Sequence, residues 1–177
     1  LADPEKPLDF GNSGTSIRLC SGILSAQGFK STLIGDSSLS SRPMQRIVEP
    51  LTAMGANITS KNGTLPLHIS PTDFLKPIHY SLPVPSAQVK SCIMLSALYA
   101  EGVTIIEESA VTRDHTENMF EHFGIPLEVE NSEGQKRIIM SNIDCINPTD
   151  TKICGDFSSA SFFILAALIC PKSELLI

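Results

Sequence analysis

The chain has 177 residues, 42% of them hydrophobic and 18% charged, enough apolar material for a buried core and too much for a disordered segment. A net charge of −6, with no basic stripe anywhere, argues against a general nucleic-acid binder. Five cysteines without a CxxC spacing point to free thiols in a reducing, cytoplasmic setting. No signal peptide is visible. The longest apolar run, Phe162 to Cys170, is too short to span a bilayer, so no membrane partner is expected.

In chain order, Thr15–Ala26 follows Gly11-Asn12-Ser13-Gly14 and reads as a helix stopped by Gly28, with a strand over Lys30–Ile34. Pro43–Met54 is an amphipathic helix, with Met44, Ile47, Val48, Leu51 and Met54 on one stripe and Gln45, Arg46 and Glu49 elsewhere. Gly55 ends it. Ala56–Thr59 and Leu65–Ile69 then pair as a hairpin across Lys61-Asn62-Gly63. The pattern recurs: an apolar helix over Ala87–Ala100, a strand over Val103–Glu107, and an outer helix over Asp114–Phe123. That helix sets Met119, Phe120 and Phe123 against Glu117, Glu121 and His122. A hairpin of Leu127–Glu130 with Arg137–Met140 follows, turning at Ser132-Glu133-Gly134. A third apolar helix covers Ser159–Cys170, and a strand starts at Leu175.

The three apolar helices lack a polar face, which predicts burial on every side. Each opens on a cluster of small hydroxyl residues, and Ser13, Ser86 and Ser159 stand 73 residues apart. A period of this size marks a duplicated supersecondary unit. The expectation is an α/β fold of β-α-β-α-β-β units, two complete and a third begun near Thr149, in a chain that is a fragment of something longer.

The motifs of nucleotide phosphate loops (GxxxxGK[ST], GxGxxG), of zinc proteases (HExxH) and of nucleophile elbows (GxSxG) are absent. His115 and His122 do not form an i, i+4 pair, so no metal site is expected. What remains is polar residues at helix starts, which are natural anion sites. Gly14 and Thr15 either let a ligand approach bare backbone N–H groups or form a tight turn with a hydroxyl cap. Gln88 and Lys90 sit on the first turn of an apolar helix. There Gln88 either orients a ligand carbonyl or carboxylate or is a satisfied capping side chain. Asp114, with Glu117 three residues on, reads as a capping box rather than a catalytic pair. Arg42 and Arg113 each precede an outer helix, where a cation opposes the helix dipole at a cost of ~0.3–1 kcal/mol. Either an anion lies between each guanidinium and the helix end, or each makes a surface ion pair.

Five strings in order and register carry a resemblance that runs over the whole chain. They are Leu8-Asp9-Phe10-Gly11-Asn12-Ser13-Gly14-Thr15, Gly35-Asp36 with Ser41-Arg42-Pro43-Met44, Ser86-Ala87-Gln88-Val89-Lys90-Ser91, Thr112-Arg113-Asp114-His115-Thr116-Glu117, and Gly155-Asp156-Phe157-Ser158-Ser159-Ala160. Together they resemble the 5-enolpyruvylshikimate-3-phosphate synthase family. The resemblance implies an inside-out α/β barrel architecture of two domains, each with three repeat units. Residues 1–153 would belong to the first domain and 154–177 would cross into the second. It implies transfer of the enolpyruvyl group of phosphoenolpyruvate to shikimate-3-phosphate with release of phosphate, without metal or organic cofactor, by a full-length parent that is a monomer.

By position, Ser86, Ala87, Gln88 and Arg113 would hold shikimate-3-phosphate, and Gly14, Arg42 and again Gln88 would hold phosphoenolpyruvate. Asp156 and Ser158 would mark the crossing, with a hinge near Cys154-Gly155. No catalytic acid or base falls within these 177 residues, so the segment alone is expected to be inactive. The third and fourth motif strings resemble the branch that includes glyphosate-tolerant enzymes, whose tolerant members carry Ala where this chain has Gly14. A glyphosate-sensitive parent is therefore expected. The other readings are the sister transferase acting on UDP-N-acetylglucosamine, which shares fold and repeat, and a non-catalytic anion-binding repeat domain.

Overall fold

The computed structural model describes residues 1–132 and 134–177. They fall into two units, Leu1–Asn147 and Pro148–Ile177. In the first unit the repeat is written twice. The first copy runs β1 (Leu8–Asp9), α1 (Gly14–Leu24), β2 (Ser31–Ile34), a short α2 (Ser37–Ser40), α3 (Gln45–Ala53), β3 (Asn57–Lys61) and β4 (Thr64–Ser70). The second runs β5 (His79–Ser81), α4 (Ala87–Ala97), β6 (Val103–Glu108), α5 (His115–His122), β7 (Leu127–Ser132) and β8 (Gln135–Ser141).

The two sheets have the same order, β1-β2-β4-β3 and β5-β6-β8-β7. In each, the first two strands are parallel, joined through the inner helix, and the remaining pairs are antiparallel. Asn62 and Gly63 both take positive φ, 51° and 77°, the backbone that a two-residue hairpin requires and that Asn-Gly adopts at least cost. The second hairpin turns at Gly134, φ 81°; Glu133, which was expected in that turn, lies outside the described residues.

The inner helices α1 and α4 pack on one another at the centre. Gly22 makes their approach possible, since a Cβ there would lie 2.4 Å from the carbonyl oxygen of Cys92 and 2.9 Å from Ser96 Oγ. The small polar residues of this contact are satisfied within their own helices. Ser21 and Ser25 donate to the carbonyls of Ile17 and Ser21 at 2.7 Å, and Ser96 donates to that of Cys92 at 2.9 Å. Cys92, fully enclosed, has its thiol pushed up to about 12 by burial, as suits a small inert hydrophobe.

Several sequence expectations need correction. Only α4 is buried all round, from Val89 to Ala97. On α1, Thr15 and Ser16 are exposed, because the helix covers the core with one side and borders the site described below with the other. In the second unit, α6 (Phe157–Ile169) has no buried residue, and no strand forms at Leu175. The thirty residues of that unit contain this one helix, and neither an apolar face nor a strand edge finds a partner among them. On α5 the expected faces are exchanged at two positions: Met119 is 41% exposed, whereas Glu117 is buried. Asp114 and Glu117 do not form a capping box. Asp114 makes no side-chain cap bond, and Glu117 turns inward to two lysines.

Candidate functional site

The turn from β1 into α1 is held by short-range polar bonds. Gly11 N–H donates to Asp9 Oδ1 at 2.9 Å, and Ser16 N–H donates to the N-cap oxygen of Ser13 at 3.2 Å. Asn12 then reaches across to the β2–α3 connection. Its Nδ2 donates to Asp36 Oδ2 at 2.7 Å, and its Oδ1 accepts from Arg42 Nη2. Asp36 caps α2 by accepting from Leu39 N–H at 2.7 Å. That bond, together with the one from Asn12, holds its carboxyl below the ordinary range. The helix α2, not foreseen from sequence, places Arg42 just past a helix C-terminus as well as before α3, which offsets the dipole cost expected for it.

Gly14 lies directly under two guanidinium groups. A Cβ on it would stand 3.0 Å from Arg42 Nη1 and 3.3 Å from Arg18 Nη1. Arg18, which sequence reasoning passed over as one polar residue in an apolar helix, is the junction between the two repeats. It donates to Gln88 Oε1 at 2.6 Å and to the carbonyl of Pro43 at 3.1 Å. Gln88 completes the bridge, its Nε2 donating to Thr15 Oγ1 at 2.8 Å. Gln88 is therefore not a capping side chain. It spans two helix N-termini at positions 73 residues apart. Burial, then the nearby charges of Arg46 and Arg42, lower the pKa of Arg18. A guanidinium remains charged at neutral pH even so, and the resulting concentration of positive charge favours an anion.

Ser86 is the N-cap of α4. Its hydroxyl oxygen accepts weakly from Val89 N–H at 3.4 Å, in an extended conformation (φ −153°, ψ 108°). Ala87 and Gln88 line a cavity of about 130 Å³ together with Thr15, Ser91, Arg113 and Thr116. Arg113 is exposed and makes no hydrogen bond or ion pair among the described residues. The surface ion pair weighed for it is therefore not formed, and its guanidinium faces the cavity unengaged. The larger cavity of about 620 Å³ lies between α5 and the β7–β8 hairpin, lined by Asp114, Glu117, Asn118, Glu121 and Lys136. None of the substrate-binding residues expected from sequence borders it. The structure thus brings Ala87, Gln88 and Arg113 around one cavity, with Ser86 adjoining them at the start of α4. It joins Gly14 and Arg42 to that group through Arg18.

Beneath this surface lies a buried chain of charges. Lys90 Nζ stands 3.0 Å from Glu108 Oε2 and 2.8 Å from Glu117 Oε1, and Lys136 Nζ donates to the same Glu117 oxygen at 2.8 Å. Burial pushes the Glu117 carboxyl up, but the ammonium groups of Lys136 and Lys90 outweigh it and bring it below the ordinary range. Among the described residues no group of three or more His, Cys, Asp or Glu side chains is arranged to hold a metal ion. Among the described residues no helix is long and apolar enough to cross a membrane.

Comparison with known proteins follows the same lines. The family model described as EPSP synthase (3-phosphoshikimate 1-carboxyvinyltransferase) matches residues 1–177. The chain is 52% identical over 175 residues to the 3-phosphoshikimate 1-carboxyvinyltransferase of Ruthia magnifica subsp. Calyptogena magnifica, covering 99% of this chain and 39% of that protein. It is 48% identical over 177 residues to the enzyme of that name from Salinibacter ruber, covering 99% and 40%. Among solved structures, EPSP synthase from Acinetobacter baumannii superposes with a TM-score of 0.83 at 46% identity, over 94% of this chain and 37% of that one. The chain spans about two fifths of the length of the curated relatives it matches.

Proposed function

The chain belongs to the EPSP synthase (3-phosphoshikimate 1-carboxyvinyltransferase) family, and from that membership we propose that it forms part of an enzyme joining phosphoenolpyruvate to shikimate-3-phosphate. The reaction is an addition followed by elimination of phosphate. This segment contributes binding and orientation, while the groups that transfer protons lie outside it. Residues 1–153 belong to the first of two domains, and 154–177 cross into the second.

In this reading Ser86, Ala87, Gln88 and Arg113 take shikimate-3-phosphate, with Arg113 paired to its phosphate. Gly14 and Arg42 take phosphoenolpyruvate, and Gln88 touches both. The observation that carries it is the Arg18–Gln88–Thr15 bridge. It draws the two helix N-termini, each with an arginine beside it, to within one side chain of each other, and two anionic substrates need such a pair of neighbouring sites. Binding the anions here orients them for reaction and lowers the repulsion between them. The full-length enzyme acts as a monomer in the cytoplasm, without metal, organic cofactor or nucleic-acid partner. Because Gly14 leaves room beside Arg42, it is sensitive to glyphosate. Millimolar insensitivity of the full-length enzyme would contradict that last point.

The names of the relatives favour shikimate-3-phosphate over the sugar nucleotide of the sister transferase. The test is a calorimetric titration of shikimate-3-phosphate into the full-length enzyme carrying this segment, beside Arg113→Ala. Saturable binding weakened by about 1.5–3 kcal/mol, the range for a lost charged hydrogen bond, is the expected result. Binding of equal strength in the variant, or preference for the sugar nucleotide, would count against the assignment.

A further inference from the structure

From the buried charges beneath the site we infer that Lys90 is a positioning residue: its ammonium, clamped between Glu108 and Glu117, sets the place of Arg113 relative to Ala87 and Gln88. The inference rests on the reading of Arg113 as a ligand for the substrate phosphate.

Arg113 belongs to the irregular segment 109–114 that joins β6 to α5. Glu108 is the last residue of β6 and Glu117 lies in the first turn of α5, so the two carboxylates flank that segment. Both converge on one Nζ, that of Lys90, at 3.0 and 2.8 Å. Two hydroxyl contacts tighten the same frame. Thr112 Oγ1 donates to Glu108 Oε1, and Ser91 shares a hydrogen bond of 2.6 Å with Thr116. Lys90 and Ser91 are in turn only two and three residues past Gln88 on α4. The first turn of α4 therefore presents Ala87 and Gln88 to the cavity and, directly behind them, holds both flanks of the segment carrying Arg113.

The cost of the arrangement argues that geometry is what it secures. The side chains of Lys90 and Glu108 are 0% exposed, and those of Glu117 and Lys136 are 5% and 8%. Each buried ion carries a desolvation cost, and a packed apolar cluster of the same volume often stabilises a fold as well or better. A directional network instead holds one arrangement against its alternatives. The four groups alternate in sign, two ammoniums with two carboxylates, so the frame is neutral without any ligand; both lysines bond to Glu117 Oε1, and among the described residues its buried Oε2 has no hydrogen-bond partner.

The experiment uses the full-length enzyme carrying this segment, with Lys90→Met/Glu108→Gln as the main variant. That pair removes one charge of each sign and leaves Glu117 with Lys136. Thr112→Val/Thr116→Val is the second variant, loosening the same segment without touching a charge and deciding by the same criteria if the first does not fold. Arg113→Ala serves as the reference. The expected result is a dissociation constant for shikimate-3-phosphate raised about ten- to a hundredfold, the range for displaced orienting groups. The KM for phosphoenolpyruvate at saturating shikimate-3-phosphate stays within about twofold, on the ordinary scatter of remote substitutions. If Arg113→Ala weakens shikimate-3-phosphate and neither positioning variant does, the inference is overturned while the proposed function stands. If Arg113→Ala itself changes nothing, the ligand assignment fails and the inference with it. A fall in kcat alone, with both substrates bound as before, reports loss of folded enzyme and also overturns it.

Discussion

At the scale of single residues, Gly14 and Arg18 have the clearest consequences. Gly14 is buried on the first turn of α1 with two guanidinium groups against it. A methyl group 3.0 Å from Arg42 Nη1 is tighter than ordinary contact, but the opposing atoms end flexible side chains that yield by a few tenths of an ångström. Gly14→Ala is therefore expected to fold normally and to shift Arg42 outward. In the full-length enzyme, inhibition by glyphosate should weaken about tenfold or more, the ratio that ~1.4 kcal/mol of crowding produces, and by more than the KM for phosphoenolpyruvate rises. Steady-state inhibition of the variant beside the parent checks this; equal changes in both constants would refute it. Arg18 was missed because one cation in an otherwise apolar helix gives no pattern. The available signal was its place: one turn into a helix opened by Asn-Ser-Gly-Thr, on the stretch that faces the equivalent turn of the next repeat.

At the scale of elements, the contact between α1 and α4 sets the distance between the two helix N-termini that carry the candidate site. That distance depends on Gly22. A Cβ at this position would meet a backbone carbonyl at 2.4 Å, and backbone does not rotate out of the way. Gly22→Ala must then separate the helices, in contrast to Gly14→Ala. The expected cost is ~1–3 kcal/mol or somewhat more, the range for overpacking a core. It should appear in thermal unfolding as a fall of roughly 2–4 °C in Tm for each kcal/mol. An unchanged Tm would mean that α1 and α4 are not held as described. Helix existence and type were legible here from caps, glycine stops and apolar periodicity. The exchange of Met119 and Glu117 on α5 was not. A carboxylate is assigned to solvent unless its buried partners are known, and Lys90 and Lys136 lie 27 and 19 residues from it.

At the scale of the whole molecule, every buried apolar side chain of the core lies between Ile17 and Met140. The unit Leu1–Asn147 therefore contains its own core, two four-stranded sheets closed around paired inner helices. A chain ending at Asn147 is expected to unfold in one cooperative transition with the midpoint of the 177-residue chain, by circular dichroism. A broad or lower transition would show that the residues after Asn147 contribute to that core. The sequence by itself determined the repeat, its β-α-β-α-β-β content, the hairpin at Asn62-Gly63 and the helix N-termini that carry the candidate site. These depend on interactions spanning a few residues, which leave periodic and capping signals in the chain. The tertiary structure alone decided which apolar helices are buried, as the contrast of α4 with α6 shows, since burial depends on what packs against a face and not on the face. It alone decided that Arg18 joins Gln88 and that Lys90 gathers Glu108 and Glu117. Such contacts are set by how closely helices approach across tens of residues, and that distance is written in no local pattern.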